Sequence, residues 1–308
     1  MGSTMDALVK EARNTGGAAL VVICPDNKAI SAVNGAMAEG IVSRAFLVGD
    51  RSKISSLSNV ASGETSRFEI LETGSEEEAC QVGIRHIKDN DAQMIMKGEI
   101  NTATFLKSVL DKNGGLPSSR RLSLVCIFEI PGIDRLVILT DPGINPRLFS
   151  AGTPESGFDI IHNAMDVARS IGISIPKVAI LGANEIPSSS VPSSLHAQAL
   201  SRMTWENAHV SGPLSYDIAL YPQFAKKKGM AHDPVAGQAD ILIAPDIVSG
   251  NVIYKSWIAT VGGAVANVVP GAQAPLIISS RSDTDRSKFL TICSSVLFSR
   301  YMKENKLQ

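Results

Sequence analysis

The chain has 308 residues, 44% of them hydrophobic and 19% charged, with a formal net charge of −1. That length exceeds what one hydrophobic core usually supports, so two domains are expected. The near-zero charge and the absence of a long basic run exclude an electrostatic nucleic-acid or membrane-surface binder, and any anionic ligand must be held locally. The short Lys226–Lys227–Lys228 cluster reads as a solvated helix end. No apolar run approaches ~20 residues, and MGSTMDALVKEAR carries no basic-then-apolar signal pattern, so the expectation is a cytoplasmic protein without a membrane span. Cys24, Cys80, Cys126 and Cys293 form no CxxC and read as free thiols in a reducing compartment. The histidines form no HExxH or other ligand spacing, and no metal is expected.

In chain order, the first half alternates short β-rich runs with helical patterns. Ala18–Cys24 is a predicted strand and Ala29–Glu39 a helix; Ala45–Gly49 and Phe68–Leu71 are strands. Glu76–Asn90 is helical with Cys80, Ile84 and Ile87 on one face. Gln93–Met96 is a short buried run, and Thr102–Lys112 a helix stopped by Gly114–Gly115. Leu122–Phe128 and Leu136–Thr140 are strands paired across the Pro131–Gly132 turn. Such alternation, with continuously apolar strands, predicts mostly parallel sheets with helices on both faces, an α/β fold. The pattern breaks at DPGINPR, 141–147, where a crossing between domains is expected.

Thr153 and Pro154 then fit the N-cap and first position of a helix whose apolar face carries Phe158, Ile161, Met165, Ala168 and Ile171. Lys177–Gly182 is a strand, Ser194–Trp205 a helix, and Ser211–Leu220 a loop entering a helix. Asp240–Ala244 is a strand leading through Pro245–Gly250 to a helix after Asn251. Leu276–Ile278 is the last strand. A Ser279–Asp283 loop and a helix with Phe289, Ile292, Val296 and Leu297 at helical spacing follow it.

This last strand-loop-helix gathers backbone N–H groups, a helix dipole, Arg281, Ser280, Asp283 and Asp285 in one place, which suits a dianion such as phosphate. Ser282 as N-cap with Asp285 three positions on is also a plain capping box. Strand ends at Met96–Thr102 and Pro245–Lys255 carry further chemistry. Ligands in such sheets collect at the carboxyl ends of strands.

PDIVSGNVIYK (245–255) followed by PLIISSRSDTDRSK (275–288) resembles the phosphate acetyltransferase/phosphate butyryltransferase family. So do MKGEINTATFLKSVL (96–110), LTDPGINP (139–146), GPLSYDIAL (212–220) and HDPVAGQADILI (232–243). These motifs run in family order from about residue 18 to residue 300, and SRSD, MKG and VAGQADIL are closer to the butyryl branch. The resemblance implies a two-domain fold of the isocitrate/isopropylmalate dehydrogenase type. Residues 1–145 with 271–308 would form one domain and 146–270 the other, with the active site in the cleft between them. It implies the interconversion of acyl-CoA and phosphate with acyl phosphate and CoA. It also implies a homodimer or larger assembly, coenzyme A as substrate, and neither cofactor nor metal.

On that resemblance Arg281 clamps phosphate and Ser280 donates to a phosphate or carbonyl oxygen. Lys255 adds charge, Tyr254 a phenolic donor, and Asn251 fixes the loop that carries Lys255. Gly98, Asn101 and Thr102 cradle phosphate at a helix N-terminus, where Asn101 or Thr102 would serve equally as a cap. The thiol needs a base or a positive field. The base is Asp285, with Asp283 as the alternative or as the residue that holds Arg281. Two rival readings are a metal-requiring NAD(P)-dependent hydroxy-acid dehydrogenase of the same fold and a non-catalytic CoA- or phosphate-binding protein. The first needs an aspartate pair at a strand end, and no DxxxD or GxGxxG occurs. A Ser or Cys hydrolase lacks GxSxG.

Overall fold

The structure is a computed structural model that describes residues 4–61, 67–148, 155–262, 264–278 and 283–307. From the N-terminus it comprises α1 (Met5–Asn14), β1 (Ala18–Ile23), α2 (Asn27–Ala38), β2 (Val42–Gly49), α3 (Arg51–Ser56), α4 (Ser58–Ala61), β3 (Phe68–Glu72), α5 (Glu76–Lys88), β4 (Met94–Lys97) and α6 (Thr102–Val109). Then come β5 (Val125–Glu129), β6 (Leu136–Thr140), α7 (Glu155–Ser170), β7 (Lys177–Leu181), α8 (Pro192–Ser201), β8 (His209–Leu214), α9 (Tyr216–Leu220), α10 (Pro222–Lys227), β9 (Ile241–Ile243) and α11 (Ile247–Ser256). A π-helical turn, Trp257–Val261, precedes β10 (Val265–Val268), β11 (Leu276–Ile278) and α12 (Asp285–Asn305).

The described chain divides into two units: a terminal one, 4–120 with 265–307, and a central one, 121–262 with 264. The first crossing therefore falls before Arg121 and not near residue 145, and the second after 264 and not after 270. The reason is strand pairing. β5 and β6 form the expected antiparallel hairpin, and β6 then pairs in parallel with β9, which holds the hairpin in the central sheet.

In the terminal unit the sheet runs β11-β4-β1-β2-β3, parallel throughout. Leu20, Val21, Val22 and Ile23 are all fully buried, so both faces of β1 are covered, as a parallel sheet requires. α5 lies on β1 through Gly83: a Cβ there would stand 2.4 Å from Ile23 Cδ1 and 2.9 Å from Val21 Cγ1. Cys80, Ile84 and Ile87 are buried on that helix, as their spacing predicts. α12, its middle almost wholly buried, packs on α1, α2 and β10.

In the central unit the strands run β5-β6-β9-β7-β8, and α7 packs on them with Ile161, Met165, Ala168 and Ile171 buried. Thr153 and Pro154, expected at its start, lie outside the described residues. Two expectations change here. His209–Leu214 is a strand, parallel to β7, and not a loop. α11 starts at Ile247, capped by Asp246, and so before Asn251. Among the described residues no helix is long and apolar enough to cross a membrane.

Because Gly83 leaves α5 no room to grow toward β1, Gly83→Val should destabilise by ~1–3 kcal/mol, the usual cost of overpacking. Circular-dichroism melting is expected to show a fall of several degrees against the unsubstituted protein.

Candidate active site

Strand register builds one edge of the terminal unit. Ile23 stands opposite Val48 and Lys97, and Lys97 opposite Ile278. The chain segments that leave β1, β4 and β11 therefore start side by side at the carboxyl end of the sheet, where parallel α/β sheets bind ligands. Gly98 opens the second of these. Its N–H donates to Ile23 O (2.8 Å), and Glu99 N–H donates to Cys24 O (2.8 Å). A Cβ on Gly98 would lie 2.1 Å from Cys24 O, so only glycine allows the two backbones this close.

Asn101 then extends the backbone and caps α6, accepting from Ala103 N–H at 2.8 Å. Its amide oxygen thus serves the helix, and Thr102, exposed, is the first helical residue. Lys97, which the sequence reading passed over inside the MKG motif, places an ammonium at this same edge and donates to Gly98 O at 3.0 Å.

The third segment carries Ser280 and Arg281, and both lie outside the described residues, as does Ser282. Beyond them, Asp283 is buried and Asp285 is exposed. Capping differs from expectation. Thr284, not Ser282, is the N-cap of α12: its hydroxyl accepts from Ser287 N–H at 3.1 Å, and Asp285 is the first helical residue. An aspartate there is favoured by the helix dipole without closing a capping box. One turn on, Lys288 is only 4% exposed. Its place in an amphipathic helix gave no sign of burial.

The central unit has its own strand-end cluster. Asp141, at the end of β6, is 4% exposed. It accepts from Gly143 N–H (2.9 Å), Ile144 N–H (2.9 Å), Asn145 N–H (3.1 Å) and Asn145 Nδ2 (2.6 Å). Burial pushes its carboxyl above the ordinary range, and these four donors pull the other way. Gly250 abuts this turn, since a Cβ would stand 2.9 Å from Asp141 O. Asn251 Nδ2 donates to Pro142 O at 3.1 Å, so Asn251 ties α11 to the DPGINP turn.

Tyr254 is buried, its ring edge-on to Phe128 with centroids 5.6 Å apart. Lys255 is exposed, its Nζ 5.4 Å from the Tyr254 ring centroid. Trp257 Nε1 donates to Tyr216 Oη at 2.9 Å, which joins the GPLSYDIAL motif to the helix of Lys255. The expected residues thus form two groups. Gly98, Asn101, Thr102, Asp283 and Asp285 belong to the terminal unit, and Asn251, Tyr254 and Lys255 to the central unit.

The chain matches the family model described as "Phosphate acetyl/butaryl transferase" over residues 61–295. The phosphate butyryltransferase of Clostridium acetobutylicum is 36% identical over 283 residues, 90% of this chain and 91% of that protein. The chain belongs to the phosphate acetyl/butyryl transferase family. The crystal structure of a branched-chain phosphotransacylase from Enterococcus faecalis superposes with a TM-score of 0.80 at 26% identity, covering 92% of this chain and 99% of that one. The crystal structure of a 4-hydroxythreonine-4-phosphate dehydrogenase from Klebsiella pneumoniae matches at TM-score 0.51 and 12% identity, covering 92% of this chain and 100% of that one. The second likeness concerns the fold alone, and it agrees with the expected dehydrogenase-type α/β architecture.

At the edge of this family member's terminal sheet, Cys24 is half-buried, and burial with Glu76 nearby pushes its thiol up to about 11. Alkylation follows the thiolate fraction, and an ordinary thiol titrates near ~8.5. Iodoacetamide should therefore modify Cys24 roughly tenfold or more slowly than free cysteine at pH 8. Peptide mapping should show the rate still climbing through pH 10; a plateau near pH 8.5 would contradict the buried environment.

Proposed function

We propose that the protein is a phosphate acyltransferase, interconverting acyl-CoA plus phosphate with acyl phosphate plus free CoA. The observation that carries this reading is the register of β4 beside β11. It starts the Gly98–Thr102 turn and the segment running into Ser280–Arg281 from neighbouring strand ends. Family membership supports it independently.

Toward acyl-CoA, the CoA sulfur attacks the carbonyl carbon of the acyl phosphate. A C–S bond forms, the thiol proton passes to a base, and the C–O bond to phosphate breaks with its electron pair on the leaving oxygen. Arg281 neutralises that phosphate, and Ser280 donates to it or to the carbonyl oxygen as negative charge grows there. The Gly98–Thr102 turn adds backbone N–H groups and the positive end of α6. Asp285, exposed at the head of α12, suits a base that must exchange protons with water, and Asp283, buried, suits a residue that orients a cation. Lys255 supplies a second positive charge, and Asn251, through Pro142, steadies the helix that presents it. Tyr254 contributes through its packed ring. The described cysteines form no disulfides, which supports a reducing, cytoplasmic setting. A homodimer or larger assembly belongs to the same reading and is read by light scattering.

Wild-type protein given a panel of acetyl-, propionyl-, butyryl- and branched acyl-CoAs with phosphate should release free thiol. No release from any of them would reject the activity and leave a binding protein. Arg281→Ala should lower turnover on the order of 10²–10³, the scale for losing one charge stabiliser. Asp285→Asn should remove the acidic limb of the pH–rate profile, the fall in rate as the base becomes protonated. Asp283→Asn should lower the rate and keep the profile's shape; the reverse pattern would exchange the two roles.

A further inference from the structure

Among the described residues Lys288 is the only buried lysine or arginine, at 4% exposed. Its main-chain N–H donates to Thr284 O at 3.0 Å, in the first turn of α12. With Thr284 as N-cap, Asp285 is the first helical residue and Lys288 the fourth. Side chains on a helix lean toward its N-terminus. A four-carbon stem covers roughly one helical turn of about 5.4 Å, which carries the ammonium back to the head of α12.

Three features set this lysine apart from ordinary packing. Residues just before the N-cap and at the fourth helical position ordinarily form an apolar staple that sets the angle of chain entry. Here those positions hold Asp283 and Lys288, opposite charges and both buried. A cation at the head of a helix works against the helix dipole, and an ammonium out of water is costly unless acceptor oxygens surround it. Finally, the face of α12 that carries Lys288 stays polar one turn on. Thr291 is buried there, and its Oγ1 accepts from Asn267 N–H of β10 at 3.0 Å. Packing alone would fill such a face with the aliphatics found at Leu290, Val296 and Leu297. The neighbouring cation, Arg286, is engaged elsewhere. It is exposed, donates to Asp6 at 2.9 Å and lies 5.6 Å from the Phe289 ring centroid.

We propose that Lys288 is a positioning residue for the phosphate site: from inside the first turn of α12 it fixes the segment that delivers Ser280 and Arg281. The proposal rests on the acyl-transfer reading above and adds the residue that sets its arginine. Oxygens must gather where the ammonium ends, and that is where the chain from Arg281 enters α12.

The test is a double-mutant cycle on the whole protein with Lys288→Met, Arg281→Ala and both together. Methionine keeps much of the stem without the charge, and an apolar replacement of a buried charge is often well tolerated. Lys288→Met should raise the Kd for inorganic phosphate, read by calorimetry, about tenfold. In thiol release it should lower kcat about tenfold and raise KM for phosphate, with KM for acyl-CoA as in wild type. In the Arg281→Ala background the same change should cost less than about twofold, because the residue it places is already gone. Lys288→Gln is the second variant should Lys288→Met fold poorly by circular dichroism.

Equal losses in the two backgrounds, or an unchanged phosphate Kd, would overturn the assignment, since a side chain that merely packs α12 shifts melting without coupling to Arg281. Phosphate binding with a coupled cycle but no thiol release would sink acyl transfer and keep the role of Lys288. Normal thiol release with an additive cycle would sink Lys288 alone.

Discussion

At Gly98 the main chain passes so close to the end of β1 that a single methyl group would lie 2.1 Å from the Cys24 carbonyl oxygen. Two backbone hydrogen bonds of 2.8 Å hold the strands at that separation. The rest of the site edge follows from this contact. With β4 pinned to β1 on one side and paired with β11 on the other, three strand ends are held level, and the helix after β4 starts at a set height. An anion site made of backbone N–H groups depends on such placement, because those groups cannot reorient as side chains do. With a net charge of −1 there is no long-range field to gather a dianion, so local geometry must do it.

The central unit uses the same device with different chemistry. There a buried carboxylate organises the turn. Asp141 collects three backbone N–H groups and one amide, the arrangement that makes burial of a charge tolerable. Gly250 then lets α11 approach that turn, and Asn251 fastens it at Pro142. Several residues that look chemical in the sequence also make structural contacts. Asn251 reaches a backbone carbonyl, Tyr254 packs edge-on against Phe128, and Asn101 caps a helix.

Much of this architecture was legible in the sequence because burial leaves periodic traces. The strands of the terminal sheet, the buried face of α5 and the β5–β6 hairpin all follow from apolar spacing and turn residues. Two of the misses share one cause, in that the deciding partner is distant in the chain. Ser211–Gly212–Pro213 has turn composition, yet it forms β8 because β7 offers a parallel ladder. DPGINPR reads as a boundary, yet β6 is claimed by β9, a hundred residues on, and the boundary moves to Arg121. Ser282 and Thr284 are both competent caps, and the choice of Thr284 follows from where α12 begins. Lys97 was hidden by its position inside a strand, where a lysine is usually taken for a solvated end.

The two aspartates at the head of α12 differ in their surroundings, and the two roles proposed for them rest on that difference. Asp283 and Asp285 are two residues apart and chemically identical, and only their surroundings differ. A carboxylate that must pass a proton on needs water, and one that must hold a cation in place gains from its removal, since the attraction strengthens as the local dielectric falls. The Thr284 cap turns the chain between them, which leaves the first carboxylate buried and the second exposed beside the N-terminal end of the helix dipole. For a thiol, whose proton is already weakly held, a modest base beside a positive field suffices, and the larger share of the barrier falls to the groups that receive the phosphate.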